Sequence, residues 1–119
     1  MNMRSNETLK DVFKGVKAIL LDLDGTVYEG KKLIEGADVF VEKMRGLRLK
    51  VFFCTNNSSS PRSVIAKKLV KMGIPCDEKD VVSSGFMALR YSLSNNLKNV
   101  CISGTEEFIN EFRMHGINP

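Results

Sequence analysis

Cysteine is scarce in this sequence and does not pair: Cys54, Cys76 and Cys101 are odd in number, far apart and without a Cys-x-x-Cys spacing. That excludes a disulfide framework and a zinc knuckle, and it points to a reducing compartment. Long apolar runs are missing too. The stretch over residues 16–21 is broken by Lys17, and residues 1–10 are polar with no hydrophobic signal core. A soluble, cytoplasmic protein without membrane contact is the expectation. The net charge of +4 comes with no basic stripe interleaved with aromatics. Lys67, Lys68 and Lys71 form the one local basic cluster and read as a solvated helix face, so no nucleic-acid partner is expected. Internal repeats, low-complexity tracts and linker-like stretches are absent as well.

What remains is the composition of a small folded domain: 119 residues, 43% hydrophobic and 27% charged. Residues 16–21 are apolar and rich in strand formers, and they stop abruptly at Asp22, as a strand buried in a parallel sheet does. Residues 27–33 read as a turn or small hairpin. Ala37, Phe40, Val41, Met44 and Leu47 then recur at helical spacing, predicting a helix over 36–47. A second strand over 50–54 runs into Thr55-Asn56-Asn57-Ser58-Ser59-Ser60-Pro61, where the serines offer N-caps and Pro61 suits a first helical turn. Ile65, Leu69 and Met72 continue as a helix that Gly73 ends, with Pro75 beyond.

The rest repeats the theme. Residues 80–82 read as a strand, Ser83 or Ser84 as the cap of a helix carrying Met87, Ala88 and Tyr91, residues 99–103 as another strand, and Thr105 as the cap of a last helix ending at Gly116. Strands alternating with helices predict βαβ crossovers and a parallel sheet covered on both faces.

In such a sheet the ligand crevice lies beyond the carboxyl ends of the strands, where both Asp22-Leu23-Asp24 and Thr55-Asn56-Asn57 fall. If the strand continues through Asp22, the Asp22 and Asp24 carboxylates share a side with Leu23 turned away, a pair suited to magnesium. Gly25 permits a sharp exit from the strand and close approach of a ligand, and Thr26 is placed to fix the turn through its hydroxyl. Thr55 offers a hydroxyl and, with Asn56, backbone amides of the kind a phosphoryl group accepts from. Three other residues are left out of the site: Tyr28 reads either as a substrate contact or as a surface aromatic steadying the hairpin, Cys54 as a packing residue rather than a nucleophile, and His115 as incidental near a helix end.

Asp-x-Asp-Gly-Thr closing a hydrophobic strand, followed by a strand ending in Thr-Asn-Asn-Ser, resembles the haloacid dehalogenase superfamily, and within it the nitrophenylphosphatase and nucleotide or sugar phosphatase branch. The resemblance implies a Rossmann-like three-layer α/β/α core and a magnesium-dependent phosphatase acting on small phosphorylated metabolites. Asp22 would attack phosphorus to form an aspartyl-phosphate, and Asp24 would serve as acid and then base. Thr55 and Asn56 would hold the phosphoryl group, and Asp22 and Asp24 would carry the magnesium.

Two further motifs of that family, a charge-neutralising lysine and a later acidic pair, are not found here, and Asp77 and Asp80 read as solvated loop acids. The 32 residues between Asp22 and Thr55 leave no space for a lid. Residues 1–97 therefore read as the amino-terminal part of the core and residues 98–119 as the first strand and helix of a cap. The first strand is then expected to be an exposed apolar edge open to self-association. A fragment of the enzyme is the leading expectation, with a non-catalytic phosphate-binding or assembly module as the alternative.

Overall fold

The computed structural model describes residues 6–57 and 59–119. Along the chain these form α1 (Asn6–Val12), β1 (Ala18–Asp22), β2 (Tyr28–Glu29), β3 (Lys32–Leu33), α2 (Ala37–Gly46), β4 (Lys50–Thr55), α3 (Arg62–Lys71), β5 (Val81–Ser83), α4 (Ser84–Ser94) and α5 (Glu106–Met114). A 3-10 turn, Glu78–Asp80, leads into β5. Asp77 and Asp80, expected as solvated acids, close a capping box on that turn.

The α/β architecture rests on a parallel sheet in the order β1-β4-β5. Its register sets Asp22 beside Cys54 and Thr55 beside Ser83, so the carboxyl ends of all three strands finish level. The apolar residues of the two crossover helices explain the layering. Val41 and Met44 of α2, with Ile65, Ala66 and Leu69 of α3, join Leu23, Val51, Phe53 and Val81 in one buried cluster. Both helices thus cover the same face, as two successive crossovers of one hand require.

Helices flank both faces, as a three-layer α/β/α core requires, but the second face is covered only in part. Leu20 is 68% exposed, and its row continues through Phe52, Cys54 and Val82, which are only half-buried. On this side α4 packs chiefly against β5. Among the described residues β1 pairs with β4 only and forms one edge of the sheet.

Helix ends follow the sequence closely. Gly36, at φ 88°, starts α2, and Gly73, at φ 95°, ends the α3 segment, each in a left-handed conformation that a Cβ disfavours. The Ser83 hydroxyl accepts the Phe86 N–H at 3.0 Å and caps α4. At α3 the position before the first turn is Pro61, with no side-chain cap, because Asn57 engages the N–H groups of Ser59 and Ser60 before the helix starts. Ser58 lies outside the described residues. On α4 the inward positions are Gly85, Leu89 and Ser92, whereas Met87 and Tyr91 face outward.

The expected strand over 99–103 does not form. That segment contributes one isolated bridge, Asn99 to Asn118, because only the short tail after α5 lies alongside it. Val100 and Ile102 instead pack on a second cluster made by Leu89, Phe108, Phe112 and Ile117, with Phe108 and Phe112 edge-to-face at 5.1 Å.

Candidate functional site

β1 ends at Asp22, and the next residue is drawn inward. Leu23 is fully buried, and its carbonyl receives the N–H groups of Thr26, Val27 and Tyr28 at 3.1, 2.9 and 3.2 Å. Wrapping the chain around one carbonyl leaves Asp22 and Asp24 exposed on either side of a buried leucine, the alternation extended backbone produces. Gly25, at φ 84°, makes the reversal possible, and its N–H reaches the Tyr28 carbonyl at 2.8 Å. Thr26 holds the turn by its backbone N–H rather than by the hydroxyl the sequence suggested.

Tyr28 is buried at 4% exposure, which corrects its reading as a surface aromatic. The Lys68 ammonium sits 3.8 Å from its ring centroid, a cation–π contact that pins the hairpin to α3. Burial first, and then the charges of Asp24 and Asp22, push the Tyr28 phenol above its usual range.

At the end of β4, Thr55 is 6% exposed, and its Oγ1 accepts the Asn57 N–H at 3.1 Å. The hydroxyl hydrogen remains to be donated. Asn57 Oδ1 collects the Ser59 N–H at 2.9 Å, the Ser59 hydroxyl at 2.9 Å and the Ser60 N–H at 3.3 Å, so the loop is shaped by its own side chains. Asn56 is exposed, and its carbonyl accepts the Ser84 hydroxyl at 3.0 Å.

Asp22, Cys54, Thr55, Asn56, Ser84 and Met87 line one shallow depression of about 220 Å³ at the carboxyl edge of the sheet. The structure therefore brings together Asp22, Thr55 and Asn56. Asp24 does not line that depression and stands on the Tyr28 side. Cys54 lines it too, but burial and the neighbouring Asp22 charge raise its thiol, which works against a thiolate nucleophile. Ser84 was missed in the sequence. The polar end of a third parallel strand was the signal that could have found it.

Larger hollows lie elsewhere. One of about 630 Å³ includes Lys50, Phe52, Cys76 and Asp80 near the amino ends of the strands, and one of about 650 Å³ runs along α3 beside Lys31 and Lys68. Size favours them, but chemistry favours the small depression, because ligands of open parallel sheets gather at the carboxyl edge. Among the described residues no three His, Cys, Asp or Glu side chains are grouped to hold a metal. None of the helices described there is long and apolar enough to cross a membrane.

Comparison with known proteins places the chain in a family. A family model described as haloacid dehalogenase-like hydrolase matches residues 19–118. The chain belongs to that family. Sugar-phosphatase AraL of Bacillus subtilis is 35% identical over 100 residues, covering 83% of this chain and 37% of its own length. Phosphoglycolate phosphatase 2 of Arabidopsis thaliana is 32% identical over 116 residues, covering 94% of this chain and 38% of its own.

Among solved structures, a glycerol phosphate phosphatase from Mycobacterium tuberculosis in complex with magnesium aligns at a TM-score of 0.75 and 33% identity, covering 87% of this chain and 32% of that one. A 4-nitrophenylphosphatase from Thermotoga maritima aligns at a TM-score of 0.74 and 29% identity, covering 86% and 40%. The chain thus spans about a third to two fifths of the length of these relatives.

Proposed function

We propose that this chain carries the nucleophile and the phosphate loop of a phosphatase acting on small phosphate monoesters. The observation that supports it is the convergence of Asp22, Thr55 and Asn56 on one depression at the carboxyl edge of the sheet. The names of the relatives, sugar phosphatase, phosphoglycolate phosphatase and glycerol phosphate phosphatase, support the same substrate class.

In this reading a carboxylate oxygen of Asp22 attacks phosphorus, the ester P–O bond breaks, and the Asp24 carboxyl gives its proton to the departing oxygen. Asp24, now a carboxylate, takes a proton from water. The water oxygen attacks phosphorus, freeing inorganic phosphate and restoring the Asp22 carboxylate. The Thr55 hydroxyl donates its remaining hydrogen to the phosphoryl oxygens, and Asn56 holds them by its amide.

The exposed Asp22 carboxylate and the backbone carbonyl of Asp24, which leaves the Asp24 carboxyl free for proton transfer, are hard oxygen donors that fit magnesium, which keeps several waters and a substrate phosphate among its ligands. Asp22 and Asp24 would hold it, and when bound it neutralises charge on the phosphoryl group. We also propose the division at residues 97/98, with α5 in the opening of a cap.

A second reading, a non-catalytic phosphate-binding module, draws on the absence of a third grouped acid among the described residues. Assaying magnesium-dependent hydrolysis of an aryl phosphate decides between them. Turnover lost in Asp22→Asn supports the phosphatase. Magnesium-dependent binding of inorganic phosphate without turnover supports the second reading, and the lack of both contradicts both.

A further inference from the structure

The loop after β4 is tied down from elements that follow it by many residues. The Thr105 hydroxyl donates to the Ser59 carbonyl, and the Thr105 backbone N–H reaches the same oxygen at 3.2 Å. Ser84 holds the Asn56 carbonyl at 3.0 Å. Arg62, the first residue of α3, lays its guanidinium 3.3 Å from the Phe86 ring centroid on α4. Its charge also acts on the half-buried Glu111 of α5. Each tie joins the loop or its exit to α4 or α5, the elements that pack around Phe108 and Phe112.

Thr105 is the residue where two tasks meet. Its Oγ1 accepts the Phe108 N–H at 3.2 Å and so caps α5, while the hydroxyl hydrogen goes to Ser59. A residue needed only as a cap would have no use for the second bond, which crosses 46 positions of sequence. Fixing Ser59 also fixes Asn57, whose side chain takes the Ser59 N–H and hydroxyl, and Asn57 in turn bonds Thr55 Oγ1. The chain of contacts ends on the hydroxyl that the proposed chemistry uses.

We propose that Thr105 is a positioning residue for the phosphate site: through Ser59 and Asn57 it sets Thr55 and Asn56 in place, so that the order of the phosphate loop depends on the docking of α5. This rests on the reading of Thr55 and Asn56 as phosphate holders. Preorganised donors bind an anion without first losing loop freedom, so the tie acts on affinity before chemistry.

Two substitutions separate positioning from capping. Asp is a strong N-cap acceptor but has no hydrogen for Ser59, whereas Ser keeps both functions. Hydrogen exchange of residues 56–61 and of α5 is measured for the full chain, Thr105→Asp and Thr105→Ser, together with inorganic phosphate affinity in magnesium. Thr105→Asp is expected to speed exchange in 56–61, leave α5 protected and weaken phosphate binding on the order of fivefold, the cost of one lost hydrogen bond. Thr105→Ser is expected to match the parent. Parent-like affinity in Thr105→Asp overturns the proposal, as does an α5 that loosens as much as the loop. A parent chain that binds no phosphate overturns the reading of the site itself and this inference with it.

Discussion

The two hydrophobic clusters of this chain are built differently. The first joins the parallel strands to α2 and α3, with Leu23, Phe53 and Leu69 at zero exposure. The second has no strand and consists of Leu89, Phe108, Phe112 and Ile117 around α4 and α5. Strands fix side chains on a ladder of hydrogen bonds, whereas two short helices depend on packing and on their caps, Ser83 and Thr105. The candidate site lies on the seam, taking Asp22 and Thr55 from the first assembly and Ser84 from α4, which packs into the second. In the proposed reading the strand-built part presents Asp22 and Thr55, and the helical part positions the loop after β4.

The sharpest way to break this contrast is to empty the centre of each cluster. Phe53→Ala removes a fully buried ring from the first, and a loss of about 3–5 kcal/mol is expected by denaturant unfolding, seen by every probe. Phe112→Ala deletes the same chemistry from the second. There the expected result is local: amide protection is lost across α5 while β4 stays protected. Equal loss of protection in both regions would show one cooperative unit instead of two.

Smaller changes refine the comparison. Ser83→Ala removes the cap that joins the end of β5 to α4 and is expected to cost about 1 kcal/mol, with faster exchange in the first turn of α4. Leu20→Lys, on the open side of the edge strand at 68% exposure, is expected to change stability by less than about 0.5 kcal/mol. A large loss there would mean that this face is covered.

The same contrast explains what the sequence disclosed. β1, β4, α2 and α3 were legible because apolar periodicity and glycine stops agree with one another there, and Asp22 and Thr55 were legible because strand ends are where such sheets place their chemistry. Residues 99–103 carry a strand composition but lack a partner long enough to pair, which is a property of the surroundings and not of the segment. Tyr28 was misread because its burial comes from the Lys68 contact and the packing of a distant helix. The thinner cover of the second face follows from the placement of both crossover helices on the first, which no local pattern reveals. Ser84 stands at the polar end of a third strand, where the same rule points, whereas Thr105 reaches the loop across 46 positions only after folding, so its part was invisible to spacing.

The central claim is that Asp22 is the nucleophile. It is tested most directly by incubating the chain with magnesium and an aryl phosphate, quenching in acid and locating the phosphoryl group by mass spectrometry. The account predicts a single phosphoryl mass increase on Asp22, absent from Asp22→Asn. A label on Cys54 or another residue, or phosphate release that persists in Asp22→Asn, would contradict it.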